Sequence, residues 1–239
     1  TISRGNYFKY PANIFIEGEE TALFYGFQTD GIYQTGDTTI GDAQAGDVRI
    51  IDQNGDNVID LSDRTVIGNP NPDYTFGINL SVRYKSFSLS ALVNGVYGNE
   101  IINGNLIQMG NAEGLFRNIL SDAYHGAWRP EKPSNSYPRI GYLGNDGPEF
   151  LAISDRYVED GSYLRLNNVT IGYDLPIGEN NTIKGANIYV TGQNLLTLTN
   201  YGGYDPEITS FMWTGLISGV DWNGPPNSRN ILIGLNLNF

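Results

Sequence analysis

Tyr74-Thr75-Phe76-Gly77-Ile78-Asn79-Leu80-Ser81-Val82-Arg83-Tyr84 is followed by the step Lys85-Ser86 and then by Phe87-Ser88-Leu89-Ser90-Ala91-Leu92-Val93-Asn94-Gly95-Val96-Tyr97. In the first run every even position is apolar, and Thr, Gly, Asn, Ser and Arg fall between. In the second, Phe87, Leu89, Ala91, Val93 and Tyr97 alternate with Ser88, Ser90 and Asn94. A two-residue period is that of a strand with one apolar face, and a two-residue connection predicts a hairpin. Each run has the length a tilted strand needs to cross a bilayer, about 9–11 residues. Tyr74, Tyr84, Phe87 and Tyr97 stand near the strand ends, where a transmembrane barrel carries its aromatic girdles. Aromatic residues are also common in strands of any kind.

The same period recurs along the chain. Ile231, Ile233, Leu235, Leu237 and Phe239 alternate with Leu232, Gly234, Asn236 and Asn238, and a final Phe preceded by apolar residues at two-residue steps resembles the C-terminal signal of outer-membrane barrels. Ser162–Leu175 and Gly185–Leu198 form a second pair, in phase at Val169, Ile171, Tyr173 and Leu175 and at Ala186, Ile188, Val190, Leu196 and Leu198. Leu164 and Leu166 are out of step, which predicts a bulge or a segment above the bilayer. Asn13–Phe27 alternates more weakly and is expected to be a further strand, giving six.

The connections test this reading independently. They run long, short, long, short, long: 28–73, 85–86, 99–161, 176–184 and 199–228. Barrels of the bacterial outer membrane join strands by short periplasmic turns and long extracellular loops in strict alternation. The expected fold is therefore all-β, a transmembrane antiparallel β-barrel with long extracellular loops, and lumen-facing positions of Ser, Thr, Asn and Gly. Six strands cannot close, and an open edge in hydrocarbon leaves backbone groups unsatisfied at several kcal/mol each. Residues 1–239 are expected to be the C-terminal part of a larger barrel, with plug and N-terminal strands outside this chain; Thr1–Asn6 does not have the make-up of a signal peptide.

Composition narrows the functional classes. A net charge of −12 argues against nucleic acid as a partner, because that affinity comes from Lys and Arg neutralising phosphates. No stretch reaches the ~20 consecutive apolar residues of a spanning helix. The absence of Cys excludes a disulfide scaffold and a thiol nucleophile, and the single His, His125, has no neighbours at metal-ligand or triad spacing. Acid pairs such as Glu159-Asp160 do not by adjacency make catalytic geometry. No enzyme activity and no organic cofactor are expected.

Three stretches resemble the SusC/RagA-type TonB-dependent transporters. They are Leu23-Phe24-Tyr25-Gly26-Phe27-Gln28-Thr29-Asp30-Gly31-Ile32-Tyr33-Gln34; the block from Gly46 to Tyr74, which holds Asp52-Gln53-Asn54-Gly55-Asp56, Asp63-Arg64 and Ile67-Gly68-Asn69-Pro70-Asn71-Pro72; and Ser162-Tyr163-Leu164-Arg165-Leu166-Asn167-Asn168-Val169-Thr170-Ile171-Gly172-Tyr173, followed by Val190–Leu195 and Tyr201-Gly202-Gly203-Tyr204-Asp205-Pro206-Glu207. The resemblance implies a plugged barrel of about 22 strands in the outer membrane of Bacteroidetes-type Gram-negative cells. It also implies a SusD-like surface lipoprotein as lid, a TonB contact made by the N-terminal region, and import of oligosaccharides or peptides.

Two sets of residues carry candidate chemistry. Asp52, Asn54, Asp56, Val58 (by its carbonyl), Asp60 and Asp63 occupy positions 1, 3, 5, 7, 9 and 12 of a calcium-loop order, and Ca²⁺ takes six to eight such oxygens. Asn57 replaces the usual Gly at position 6, which Asn tolerates because it accepts a left-handed backbone. Asp63 replaces the longer Glu. The expected ion is structural, and the alternative is an Asx-rich turn without metal. Tyr124, Trp128, Tyr204, Trp213 and Trp222 lie in the long loops and are expected to line the substrate path; packing within the loops or against the lid is the competing use. The rival fold is a secreted β-sandwich adhesin or glycan-binding module with a calcium loop. A glycoside hydrolase would need a carboxylate pair at a defined separation.

Overall fold

The structure is a computed structural model that describes residues 12–110, 118–140, 153–177, 182–207, 210, 216–222 and 224–239. Its strands are β1 Asn13–Ile14, β2 Leu23–Phe27, β3 Thr29–Ile32, β4 Val48–Ile50, β5 Arg64–Gly68, β6 Tyr74–Tyr84, β7 Phe87–Tyr97, β8 Glu100–Asn103, β9 Val158–Asp160, β10 Tyr163–Leu175, β11 Gly185–Thr199, β12 Val220–Asp221 and β13 Asn230–Asn238. Two short helices, α1 Gly104–Met109 and α2 Ser121–Gly126, lie in the 98–162 connection. The chain divides into two compact units: Thr1–Asn71, Glu100–Asp160 and Glu207–Gly224 form one, and Pro72–Asn99, Gly161–Pro206 and Pro225–Phe239 the other.

The second unit is a single antiparallel sheet in the order β6-β7-β10-β11-β13, so each strand pairs with its neighbour among the sheet's strands in chain order. Register brings the apolar positions into line across all five. Val82 faces Leu89, Leu89 faces Ile171, Ile171 faces Val190 and Val190 faces Ile233. The next rung runs Tyr84, Phe87, Tyr173, Ile188 and Leu235. The opposite face carries Ser81, Ser90, Thr170 and Thr191 in one rung, and the Thr170 and Thr191 hydroxyls hydrogen-bond at 2.8 Å. One face is therefore continuously apolar, and the other is mainly polar, with Leu232 ending the Ser81 rung and Leu92 between Asn79 and Asn168. Ile78, Tyr84, Ile171, Ile231 and Ile233 on the apolar face are all more than half exposed.

The phase break upstream of Val169 is a bulge. The β7 to β10 register shifts between Leu166 and Asn168, leaving Asn167 as an extra residue, and the β10 to β11 register shifts at the same place. On β11 the residues opposite are Asn194 and Leu195, with Asn194 at φ +52°. The bulge returns Leu164 and Leu166 to the apolar side, opposite Leu198 and Leu196, so one extra residue keeps that face continuous.

The aromatic strand ends also pair. Tyr74 stacks on Tyr97 at 5.0 Å, and at the other end Phe87 meets Tyr173 at 4.7 Å. Ten residue steps of about 3.4 Å, tilted by about 45°, separate the two ends by about 24 Å, close to the ~25 Å height of a barrel's apolar band.

The segment Asn13–Phe27 departs from expectation: among the described residues five strands, not six, make this sheet. Asn13 and Ile14 pair back on Phe24 and Leu23, and β2 pairs on its other side with β5, within the first unit. The reason is local. Phe15-Ile16-Glu17-Gly18-Glu19-Glu20 carries no alternation, Gly18 and Ala22 have positive φ, and the Asn13 amide donates to the Ala22 carbonyl at 2.7 Å, closing a turn. Phe24 and Phe27, three apart and both fully buried, show a strand covered on both faces.

The first unit has its own core, built of Ala12, Phe24, Ile102, Ile107, Ile153, Tyr157 and Val220. These residues come from three separated segments of the chain. A Cβ on Gly26 would lie 2.5 Å from the Ile153 carbonyl oxygen, which itself accepts the Phe27 N–H at 3.0 Å, so only glycine permits this approach. Asn103 caps α1 by accepting from Asn105 and Leu106 N–H.

Candidate functional site

The acidic loop forms the turn its sequence predicts. Asp52 accepts the Gly55 and Asn57 N–H groups at 2.7 and 2.8 Å, Asn54 accepts from Asp56, and Asp56 from Val58. Asn57 has φ +63°, the left-handed conformation expected at the sixth position. Asp60 and Asp63 form a reciprocal capping box at the 3₁₀ turn Leu61–Asp63. Asp63 is fully buried, and its second oxygen accepts from Gln53 at 2.9 Å. The amide of Asn57 foremost, with that of Gly55, holds the Asp52 carboxyl below the usual carboxylate range. Among the described residues no three acidic or histidine side chains converge as a metal site; the expected ligands meet backbone amides instead.

The loop aromatics separate by packing. Trp128 is 6% exposed and donates its indole N–H to Gln34 Oε1 at 2.9 Å, so its ring belongs to the unit's interior. Trp222 packs against the same unit's core. Tyr124 is exposed, with the Arg129 guanidinium 5.5 Å from its ring centre. Tyr204 is 67% exposed. Trp213 lies outside the described residues.

A cleft on the sheet unit, about 310 Å³ in volume, gathers Arg165, Asn194, Thr197, Tyr204, Asn227 and Arg229. Register places Arg165 opposite Asn94 and Thr197, on the polar face. Arg165 is 2% exposed and paired with Asp205, itself 12% exposed. Its guanidinium lies 5.3 Å from the Tyr163 ring centre. Asp205 also accepts the Asn227 N–H at 3.2 Å, and the Asn194 amide donates to the Ser228 carbonyl at 3.0 Å. These bonds tie both limbs of the 200–229 connection to the strands beneath. The phase break at Leu164 and Leu166 left Arg165 without an assigned face in the sequence, and its partner forty residues on left no periodic trace.

No family model matches the chain. TonB-dependent receptor P3 of Formosa agariphila is 34% identical over 98% of this chain, and TonB-dependent receptor SusC of Bacteroides thetaiotaomicron 29% identical over all of it. The chain belongs to the SusC-type TonB-dependent receptors. It spans 24% and 21% of those two relatives' lengths. Among solved structures, the RagAB peptide transporter matches 90% of the chain with 27% identity and a TM-score of 0.67, covering 23% of that chain. The RagAB peptide importer in its open-open state matches 97% at a TM-score of 0.70 and 24% identity, a likeness of fold. In this SusC-type chain the motifs that carry the likeness have structural tasks: Arg64 binds the Tyr25 carbonyl and lies over the Tyr25 ring, Asn69 and Asn71 secure the 68–72 turn, and Arg165 meets Asp205.

Proposed function

We propose that the sheet is a stretch of outer-membrane barrel wall and that this chain is the C-terminal part of a TonB-dependent nutrient importer. The carrying observation is the apolar face, continuous across five strands and exposed along the described chain. Lipid satisfies such a face, and the polar face then lines the lumen. A soluble sandwich would need a second sheet about 10 Å above it, and among the described residues this unit holds one sheet. β6 and β13 are edges that further strands of the same barrel would pair with. The substrate class we infer is oligosaccharide or peptide, taken under a SusD-like lipoprotein lid, with energy from the TonB complex acting through a plug outside this chain. A protein named SusC and a structure named a peptide transporter among the matches support it. The full-length receptor, extracted in detergent, should migrate differently in electrophoresis before and after boiling. A detergent-free, water-soluble monomer with one mobility would end this reading.

We also propose that calcium braces the 52–63 loop. The left-handed Asn57 and the inward-turned Asp52 and Asp56 support this, since each carboxylate oxygen keeps a second lone pair beyond its amide bond. Calorimetric titration of calcium into the full-length receptor should show binding that Asp52→Asn with Asp56→Asn removes. A flat wild-type titration would leave the loop as an Asx turn alone.

A further inference from the structure

We infer that the cleft around Tyr204 and Arg229 is a recognition site for a carboxylate-bearing ligand; this rests on reading the polar face as the substrate side. Charge is the first argument. The first unit carries 22 acidic and 9 basic residues, net −13, whereas the sheet unit carries 4 and 5, net +1. Within an acidic chain the cleft is thus locally positive, holding Arg165 and Arg229 against Asp205. The two arginines differ in role. Arg165 is buried and its charge is answered by Asp205, so it shapes the wall. Arg229 is exposed and makes no ion pair among the described residues, which leaves its planar donors available to a ligand anion; a guanidinium pairs carboxylates bidentately.

The rest of the wall is mixed, with Leu196 and Pro226 beside Asn194 and Thr197, and Tyr204 presents an exposed ring against which a sugar or side-chain face can lie. At about 310 Å³ the cleft is at the small end of ligand sites, the size of one or two monomer units. The Asp205 bonds to Arg165 and to the Asn227 N–H fix Tyr204 and Asn227 before any ligand arrives, so binding does not have to order this wall.

Uronic-acid sugars and peptide C-termini share the required group, and the test separates them. Purified full-length receptor is titrated with a glucuronate trisaccharide against its neutral glucose counterpart, and with a tripeptide bearing a free C-terminus against its amide. Each acid should bind at least about ten-fold more tightly than its neutral twin in whichever arm carries the natural class, and Arg229→Gln should erase that margin without weakening the neutral probe. Tyr204→Ala should weaken both members of the pair alike. Boiled and unboiled mobilities of the variants confirm folding, since Arg229 is a surface position. Equal binding of acid and neutral probes in both arms, or a margin untouched by Arg229→Gln, overturns the assignment. Failure of the importer reading would register separately, as no uptake by cells of a probe the purified receptor binds.

Discussion

Asp205→Ala should lower the stability of the full-length receptor by about 3–5 kcal/mol, the usual cost of removing one member of a buried ion pair. Arg165 is 2% exposed, so in the intact fold its charge has little access to water. The Tyr163 ring contact is worth about 0.5–2 kcal/mol, less than the charge pair. The same change also frees the Asn227 N–H, loosening both limbs of the 200–229 connection. The measurement is the temperature at which the compact form in unboiled electrophoresis converts to the unfolded one. Asp174→Ala is the internal control: its partner Arg83 is 70% exposed, and such a surface pair contributes about 0–1 kcal/mol. If the two variants convert at the same temperature, the Arg165 pair is not the strong element described.

Ile171→Arg should cost about 1–2 kcal/mol, because Ile171 lies one rung inside the Phe87–Tyr173 end, between the midplane, where a cation on the lipid face costs about 2–4 kcal/mol, and the interface, where it costs about 0–1 kcal/mol. The forecast depends entirely on the surroundings. Ile171 is 56% exposed, and at an exposed position in water the same substitution would stay within about 0.5 kcal/mol. Ser90→Arg, one rung away on the polar face, should be close to neutral in either case. Insertion into outer membranes and conversion temperature report both variants; an unaffected Ile171→Arg would mean the apolar face does not meet lipid.

The sheet was legible in the sequence wherever one face alone is buried or oily, because alternation then records the register directly. Even the bulge was visible, as the lost step between Leu166 and Val169. Asn13–Phe27 misled because β2 is covered on both sides, and Phe24 and Phe27 at a spacing of three carry no two-residue record. In the 52–63 loop the turn could be read down to the backbone of Asn57, since Asx chemistry is local. The cleft could not. Arg165, Asp205 and Asn227 meet only through tertiary folding, and Trp128 reads the same in sequence whether its ring faces a ligand or, as here, Gln34 and the interior.

The shared core of the first unit sets terms for how such a receptor can diversify. Adjacent strands end about 5 Å apart whatever joins them, and lengthening a connection adds entropy only as the logarithm of its length, so the wall tolerates new inserts readily. Ile102, Ile153 and Val220 belong to different stretches of those inserts yet fill one another's gaps. Exchanging a single insert between relatives would leave mismatched halves, so these connections should change together over descent.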